Sequence, residues 1–281
     1  MYKLHIDEYF AKTSDQFSVY SSNPEDNDRE HCHEFDELVM VEHGHGLHVL
    51  NGKPGYVQEG DVFYVRSGDF HFYDELGTLK LTNILINKTT EFKYLTNVDF
   101  ILNQLQRHNS CQPGWINPEQ RQQILGITQH LSAIKTDGDV TELGRAHEEA
   151  VFFQLIMSIT HSTQQASKSH TKFRTYQLIS WLQENCFDEV NWDALEAQFL
   201  LTRRTIHRQI KETTGMTPEG FLKRLRLVTA RAKIRESDDL ITAIAFDCGF
   251  TNSNHFSTCY KDAFGHTPSQ ERWFHQLLRS R

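Results

Sequence analysis

The sequence lacks any apolar run approaching the roughly 20 residues that a membrane-spanning helix needs, so no membrane partner is expected. Its first stretch, Met1 to Lys12, is charged throughout, whereas a secretory signal would place an apolar core there; a cytoplasmic location is the expectation. Cysteine is scarce and scattered. Cys32, Cys111, Cys186, Cys248 and Cys259 are odd in number and form no Cys-x-x-Cys pair, which argues against both a disulfide framework and a zinc finger. Excess positive charge is missing as well: the net charge is −8, an unpromising total for a nucleic-acid ligand.

That total is misleading, because the charge is unevenly spread. Residues 172–281 hold 16 Lys and Arg against 13 Asp and Glu, net +3, and residues 1–171 hold 13 against 24, net −11. The acidity belongs to the first part, and association with phosphate depends on the local field, not on the sum. A chain of 281 residues with 38% hydrophobic content fits two domains.

The last third repeats itself. Ile206, Ile210, Gly215, Thr217 and Pro218 recur as Phe256, Tyr260, Gly265, Thr267 and Pro268, each 50 positions later. Each copy reads as a short helix, a tight turn, a second amphipathic helix and a Gly-x-Thr-Pro stop, the outline of a helix-turn-helix. In the first copy Trp192 to Gln198 leads and Thr202 caps the following helix, which runs to about Thr213. With Ile206 and Ile210 facing inward, Arg204, Arg208 and Lys211 project outward. Arg203 and Arg204 stand in the first turn, where the helix dipole disfavours cations by about 0.3–1 kcal/mol each; a purely structural helix would carry Asp or Glu there. At the tip of a recognition helix, in contrast, arginine is the usual reader of guanine. In the second copy Ile241 to Asp247 leads, Cys248-Gly249-Phe250 turns, and Ser253 to Phe264 is the recognition helix, presenting Asn254, Ser257, Thr258 and Lys261 with Asn252 and His255 near its tip. Glu219 to Arg235 joins the two copies as a cation-rich helix, some of whose charges are expected to meet phosphate.

The string Ile244-Ala245-x3-Gly249-Phe250-x5-Phe256-x3-Tyr260-Lys261-x3-Gly265-x-Thr267-Pro268 resembles the signature of the AraC/XylS family of bacterial transcription regulators over about residues 172–275. Glu196 stands where the second copy has the small Ala245, and Glu271 stands where the family commonly has an aromatic residue, which puts local helix packing in question.

The first part reads differently. Between Glu37 and Asn87, Leu38 to Val41, Leu47 to Leu50, Val62 to Val65 and Leu79 to Ile86 are short apolar or alternating runs separated by turns such as Gly44-His45-Gly46, Asn51-Gly52 and Ser67-Gly68-Asp69. They predict a small antiparallel sandwich or barrel. Helical patterns follow at Pro118 to Ile134 and Glu142 to Ser158; the second is apolar beyond a single stripe, which suits either packing on the sandwich or a subunit interface. His161 to Thr171 is polar and aperiodic and reads as a linker.

His31-x-His33-x3-Glu37-x6-Gly44 and Gly60-x7-Gly68-x2-His71 resemble the two cupin motifs, with Arg66 replacing the usual proline. The resemblance implies that the three histidines and Glu37 meet inside a barrel. Such a set suits Zn, Mn, Fe or Ni. Three uses are compatible with it: a metal-dependent enzyme, a set of hydrogen-bonded groups at the barrel mouth, or a small-molecule pocket. The pocket, walled by Phe35, Phe70, Phe72 and Tyr73, is the expectation, with no catalytic residue and no metal or other cofactor.

Val41-Glu42-His43-Gly44, Gly46 to Asn51, Leu81-Thr82-Asn83-Ile84, Val190 to Ala194 and Ser253 to Thr258 together are similar to the L-rhamnose catabolism activators of enteric bacteria. That similarity spans nearly the whole chain. It implies a homodimeric transcription activator of sugar catabolism and transport genes, with L-rhamnose as effector and double-stranded promoter DNA and RNA polymerase as partners; a regulator answering another small molecule is the alternative.

The expectation is therefore an α+β chain. Residues 1–160 form a cupin-like β-barrel or sandwich with appended helices that senses ligand and dimerises, 161–171 link, and 172–281 form an all-α domain with two helix-turn-helix motifs. The expected ligand residues are His31, His33, Phe35, Glu37 and His71. The expected DNA-binding residues are Arg203, Arg204, Arg208, Lys211, Asn252, Asn254, His255 and Lys261.

Overall fold

The computed structural model describes residues 2–22, 30–74, 79–107, 114–135, 141–164 and 171–279. They form two units, one of Met1–His48 and Val57–Lys168, the other of Val49–Tyr56 and Ser169–Arg281.

In the first unit the elements are β1 (Tyr2–Leu4), α1 (Ile6–Tyr9), β2 (Phe17–Ser22), β3 (His31–His33), β4 (Asp36–His43), β5 (His45–Leu50), β6 (Lys53–Gln58), β7 (Asp61–Val65), β8 (His71–Asp74), β9 (Lys80–Ile86), α2 (Val98–Arg107), β10 (Gly114–Trp115), α3 (Pro118–Lys135) and α4 (Glu142–Gln164), β5 and β6 each running past the boundary between the units. Two five-stranded sheets result, ordered β1-β3-β8-β5-β6 and β10-β7-β4-β9-β2. Side-chain alternation along β4 explains the layering. Leu38 and Met40 turn to one face, where they join Val62, Tyr64, Ile84 and Ile86 in a core completed by Leu102 of α2, Ile124 and Leu131 of α3, and Phe152 and Leu155 of α4. Glu37, Val39 and Val41 turn to the other face. Register carries this rule across the sheet: Glu37 pairs with Val65 and Leu85, and Val39 with Phe63 and Asn83, so Phe63 and Asn83 share the face of Glu37.

α4 is docked by one buried acid. Both Glu149 oxygens accept: one from Gln16 Nε2 (2.9 Å) and Lys93 N (2.8 Å), the other from Tyr94 N (2.7 Å) and Leu95 N (3.0 Å). The helix continues to Gln164, past the expected end at Ser158 and into the stretch read as linker. There Thr160 and Thr163 donate their hydroxyls back to the carbonyls of Ile156 and Thr160, so these polar residues are satisfied within a helix. Thr171 opens the next helix, and residues 165–170 lie outside the described set.

The second unit is helical: α5 (Thr171–Glu184), α6 (Trp192–Phe199), α7 (Arg203–Thr214), α8 (Pro218–Glu236), α9 (Ile241–Asp247), α10 (Ser253–Phe264) and α11 (Pro268–Arg279). The repeat is visible in its stops. Gly215 and Gly265 end α7 and α10 in the left-handed conformation, at φ 74° and 78°, where glycine carries no Cβ penalty. The chain is thus an α+β protein with a sheet-rich first part and a helix-turn-helix second part.

Candidate DNA interface and candidate ligand site

Each repeat builds its recognition helix in the same way. Thr202 caps α7 by accepting from Thr205 N at 3.3 Å. Its counterpart Asn252 caps α10, its Oδ1 accepting from Asn254 N (2.8 Å) and His255 N (3.1 Å). Ile206, Ile210, Phe256 and Tyr260 are fully buried, which fixes the opposite faces outward. At equivalent positions spaced i, i+4 and i+7, α7 exposes Arg204, Arg208 and Lys211, and α10 exposes Asn254, Thr258 and Lys261; residues so spaced lie along one side of a helix. His255 is exposed beside Asn254, its Nε2 3.4 Å from Cys259 Sγ.

Two expected base readers are engaged otherwise. The Arg203 guanidinium lies 5.7 Å above the Trp192 ring, with Nε 3.8 Å from Glu196 and a terminal nitrogen 4.0 Å from Asp193. Cation–π attraction and two carboxylates therefore turn it back along α6. Asn252 uses its carbonyl oxygen for the cap, so it orders the tip of α10 instead of offering a bidentate edge to adenine. The cations of α8 also divide. Arg226 bonds three backbone carbonyls, and Arg231 and Arg235 bond Glu271, so none of these three is deployed toward phosphate.

Glu271 is the hub of the second repeat. It is buried, and accepts from Arg231 Nε (3.1 Å), Arg235 Nε (2.7 Å), Tyr260 Oη (3.1 Å) and His266 Nε2 (2.5 Å). Burial opposes its ionisation, but Arg231, Arg235 and the hydrogen bonds from His266 and Arg235 prevail and draw its pKa down to about 2. The acid at the family's aromatic position is therefore no packing fault, because it ties α8, α10 and α11 together.

In the first unit His31 pairs directly across from His71, and His31, His33 and His71, all buried, offer ligand nitrogens within 4.8 Å of one another, a set able to hold a transition metal. His71 Nε2 is 2.7 Å from His33 Nε2, and His71 Nδ1 is 3.0 Å from His48 Nε2. Glu37 Oε2 lies 3.7 Å from His33 and 3.9 Å from His71. Phe35 stacks on His33 at 5.1 Å between ring centres, and Phe63 stacks on His48 at 4.4 Å. Burial, reinforced by the neighbouring histidines, lowers His33 and His48 to about 3 and His71 well below the ordinary imidazole value. Neutral rings each carry one N–H, so the middle ring, His71, gives a proton to one neighbour and accepts from the other.

All five expected ligand residues gather here, with Phe35 as the wall behind His33. His48 is an addition. It sits within an alternating strand that reads as ordinary β structure, and only the pairing of sheet neighbours brings it to His71. Asn83 is a second addition on the Glu37 face; it is buried, and its Oδ1 has no hydrogen-bond partner among the described residues. His33 Nδ1 shares that condition. Buried polar atoms of this kind are the exception in folded proteins.

Comparison with known proteins fits both halves. Residues 16–171 match the AraC-like ligand binding domain, and residues 195–272 match a helix-turn-helix domain. The chain belongs to the AraC family of transcription regulators. Among curated AraC-family members, the HTH-type transcriptional activator RhaS of Escherichia fergusonii is 36% identical over 272 residues, 97% of each chain. The RhaS of Escherichia coli is 36% identical over 269 residues, 96% of each. Among solved structures, an AraC-type regulator from Chromobacterium violaceum is 27% identical, with a TM-score of 0.35, over 37% of this chain and 94% of that one. The chain is accordingly a DNA-binding regulator and not an enzyme. No helix among the described residues is long and apolar enough to cross a membrane.

Proposed function

We propose that the chain is an L-rhamnose-responsive transcription activator of sugar catabolism and transport genes, acting in the cytoplasm as a homodimer that recruits RNA polymerase at promoter DNA. Sugar hydroxyls are the partners of His31, His33, Glu37 and His71, with Phe35 behind them, His48 and Asn83 beside them, and no metal cofactor. Arg204, Arg208, Lys211, Asn254, His255 and Lys261 meet DNA, while Arg203 and Asn252 hold the tips of their modules in shape.

The observation that carries this reading is the convergence of buried neutral imidazoles on a carboxylate, with His33 Nδ1 lacking a hydrogen-bond partner among the described residues, within the ligand-binding half of a helix-turn-helix regulator. Neutral rings, which donate and accept at once, suit vicinal hydroxyls. The 36% identity to the activator RhaS over 97% of the chain, together with the segments similar to the L-rhamnose catabolism activators, supports the sugar class. A sugar that favours the DNA-binding state can shift the equilibrium only by its differential affinity for the two states. Calorimetry of the full chain with L-rhamnose, L-mannose, L-fucose and D-glucose tests the ligand. Heat is expected with L-rhamnose and is to be lost in Glu37→Gln; silence toward every sugar would overturn the reading.

A further inference from the structure

Arg226 stands near the middle of α8, the helix shared by the two helix-turn-helix modules. Beyond it, Leu227, Ala230 and Ile234 pack into the second module with Ile244, Ala245, Phe250 and Phe256. Its guanidinium reaches three backbone carbonyls. Nε donates to the carbonyl of Cys186 (2.5 Å), one terminal nitrogen to that of Gly249 (2.9 Å) and the other to that of Asp188 (2.9 Å). Cys186 and Asp188 lie in the segment that leads from α5 into α6 of the first module, and Gly249 is the turn between α9 and α10 of the second. The two segments touch. Gly249 holds φ 77°, and a Cβ built on it would fall 2.4 Å from the Phe187 carbonyl oxygen and 3.0 Å from Arg226 Nε.

We infer that Arg226 is the positioning residue that sets the phase between the two recognition helices on DNA. A continuous α8 fixes how far apart the modules stand, but side-chain packing at its two ends leaves each module some freedom to roll about the helix. The three-carbonyl clamp removes that freedom, since it ties the entry to the first module and the turn of the second to one and the same point of α8. Only a planar fork with several fixed donors can serve carbonyls from two chain segments at once; a lysine ammonium carries the charge without that geometry. Phase matters because B-DNA turns once in about 10–10.5 bp, so recognition helices entering successive major-groove faces tolerate little relative rotation. The inference rests on both modules engaging DNA, which the footprint of the unaltered chain reports separately.

The test uses the full chain and a duplex selected from a random library by that chain, with one base pair inserted or deleted between the two module subsites. The unaltered chain is expected to lose about tenfold or more in affinity for either altered spacing, because one base pair rotates the subsites by about 35°. Arg226→Lys and Arg226→Met are expected to bind the original duplex more weakly while the spacing penalty shrinks to about threefold or less, with hydroxyl-radical protection retained over each subsite taken singly. Gly249→Ala presses on the same junction from the other side and is expected to relax spacing in the same way. A purely structural role predicts equal losses at all spacings; if Arg226→Lys keeps the full spacing penalty, the inference fails. Should every variant prove unfolded by circular dichroism, indifference of the unaltered chain to spacing would overturn it equally well.

Discussion

The two helix-turn-helix repeats are built on one pattern and differ where it matters for DNA. At the three equivalent outward positions the first carries Arg204, Arg208 and Lys211, and the second carries Asn254, Thr258 and Lys261. Beneath them the contrast reverses: the position occupied by the fully buried Phe221 in the first repeat is taken by the ionic hub Glu271 in the second. The first repeat therefore keeps its charges on the surface and an apolar anchor inside. The second holds its charges inside and presents mainly amide, hydroxyl and imidazole groups. Under the proposed function, the first module would supply charge-assisted contacts to guanine and phosphate, and the second hydrogen-bond reading from a helix tied down by ion pairs.

The largest expected effect breaks the ionic anchor. Glu271→Ala strands Arg231, Arg235 and His266 around an emptied site and should cost about 3–5 kcal/mol of the helical unit's stability in denaturant titrations. A cost under 1 kcal/mol would mean that the hub is solvated. Phe221→Ala should cost a similar amount through the cavity it leaves, about 3–5 kcal/mol, and acid separates the two anchors. The Glu271 carboxyl is lowered to about 2 in the folded protein, so its stabilisation is complete above the ordinary glutamate range near pH 4.5 and is lost as pH falls from there toward 2. In Glu271→Gln that segment of the pH dependence should flatten, while Phe221→Ala should leave its slope unchanged.

Smaller effects sharpen the surface contrast. Arg204→Ala or Arg208→Ala should cost about 1–3 kcal/mol of specific affinity and relax the preference at one base pair; a loss spread evenly over all sequences would make that arginine a phosphate contact. Lys211→Ala and Lys261→Ala should each reduce the salt slope of binding by about one, with base preference unchanged. Smallest is a difference in the turns. Leu200 ends α6 at φ 53° and is largely exposed, where the second repeat has Gly249 at φ 77°. Leu200→Gly should therefore raise thermal stability by about 1 kcal/mol, since a left-handed leucine is strained and loses little packing there.

Sequence pattern disclosed periodic features and hid those that depend on folding at a distance. The repeat, the recognition helices, β4, β7 and β9 all follow from spacing, because each buries one face with period 3.6 or 2. His31, His33, Glu37 and His71 are legible through motif spacing. His48 is not, since its meeting with His71 depends on which strands become neighbours. Arg203 and Asn252 carry the right chemistry for DNA, yet their sites are decided by Trp192 and Glu196 in one case and by capping geometry in the other. Glu271 reads as a misfit until Arg231 and Arg235 arrive from α8, 40 and 36 residues away along the chain. The end of α4 was obscured by composition, because Ser and Thr that satisfy their hydroxyls inside a helix look like linker.

Fluorescence anisotropy of the full chain on a labelled promoter duplex, titrated with and without L-rhamnose, addresses the coupling between barrel and helices most directly. The sugar is expected to tighten binding of the unaltered chain, and Glu37→Gln and His33→Ala are expected to keep the sugar-free affinity while losing the response. An affinity for DNA that stays the same at every L-rhamnose concentration in the unaltered chain would contradict the account.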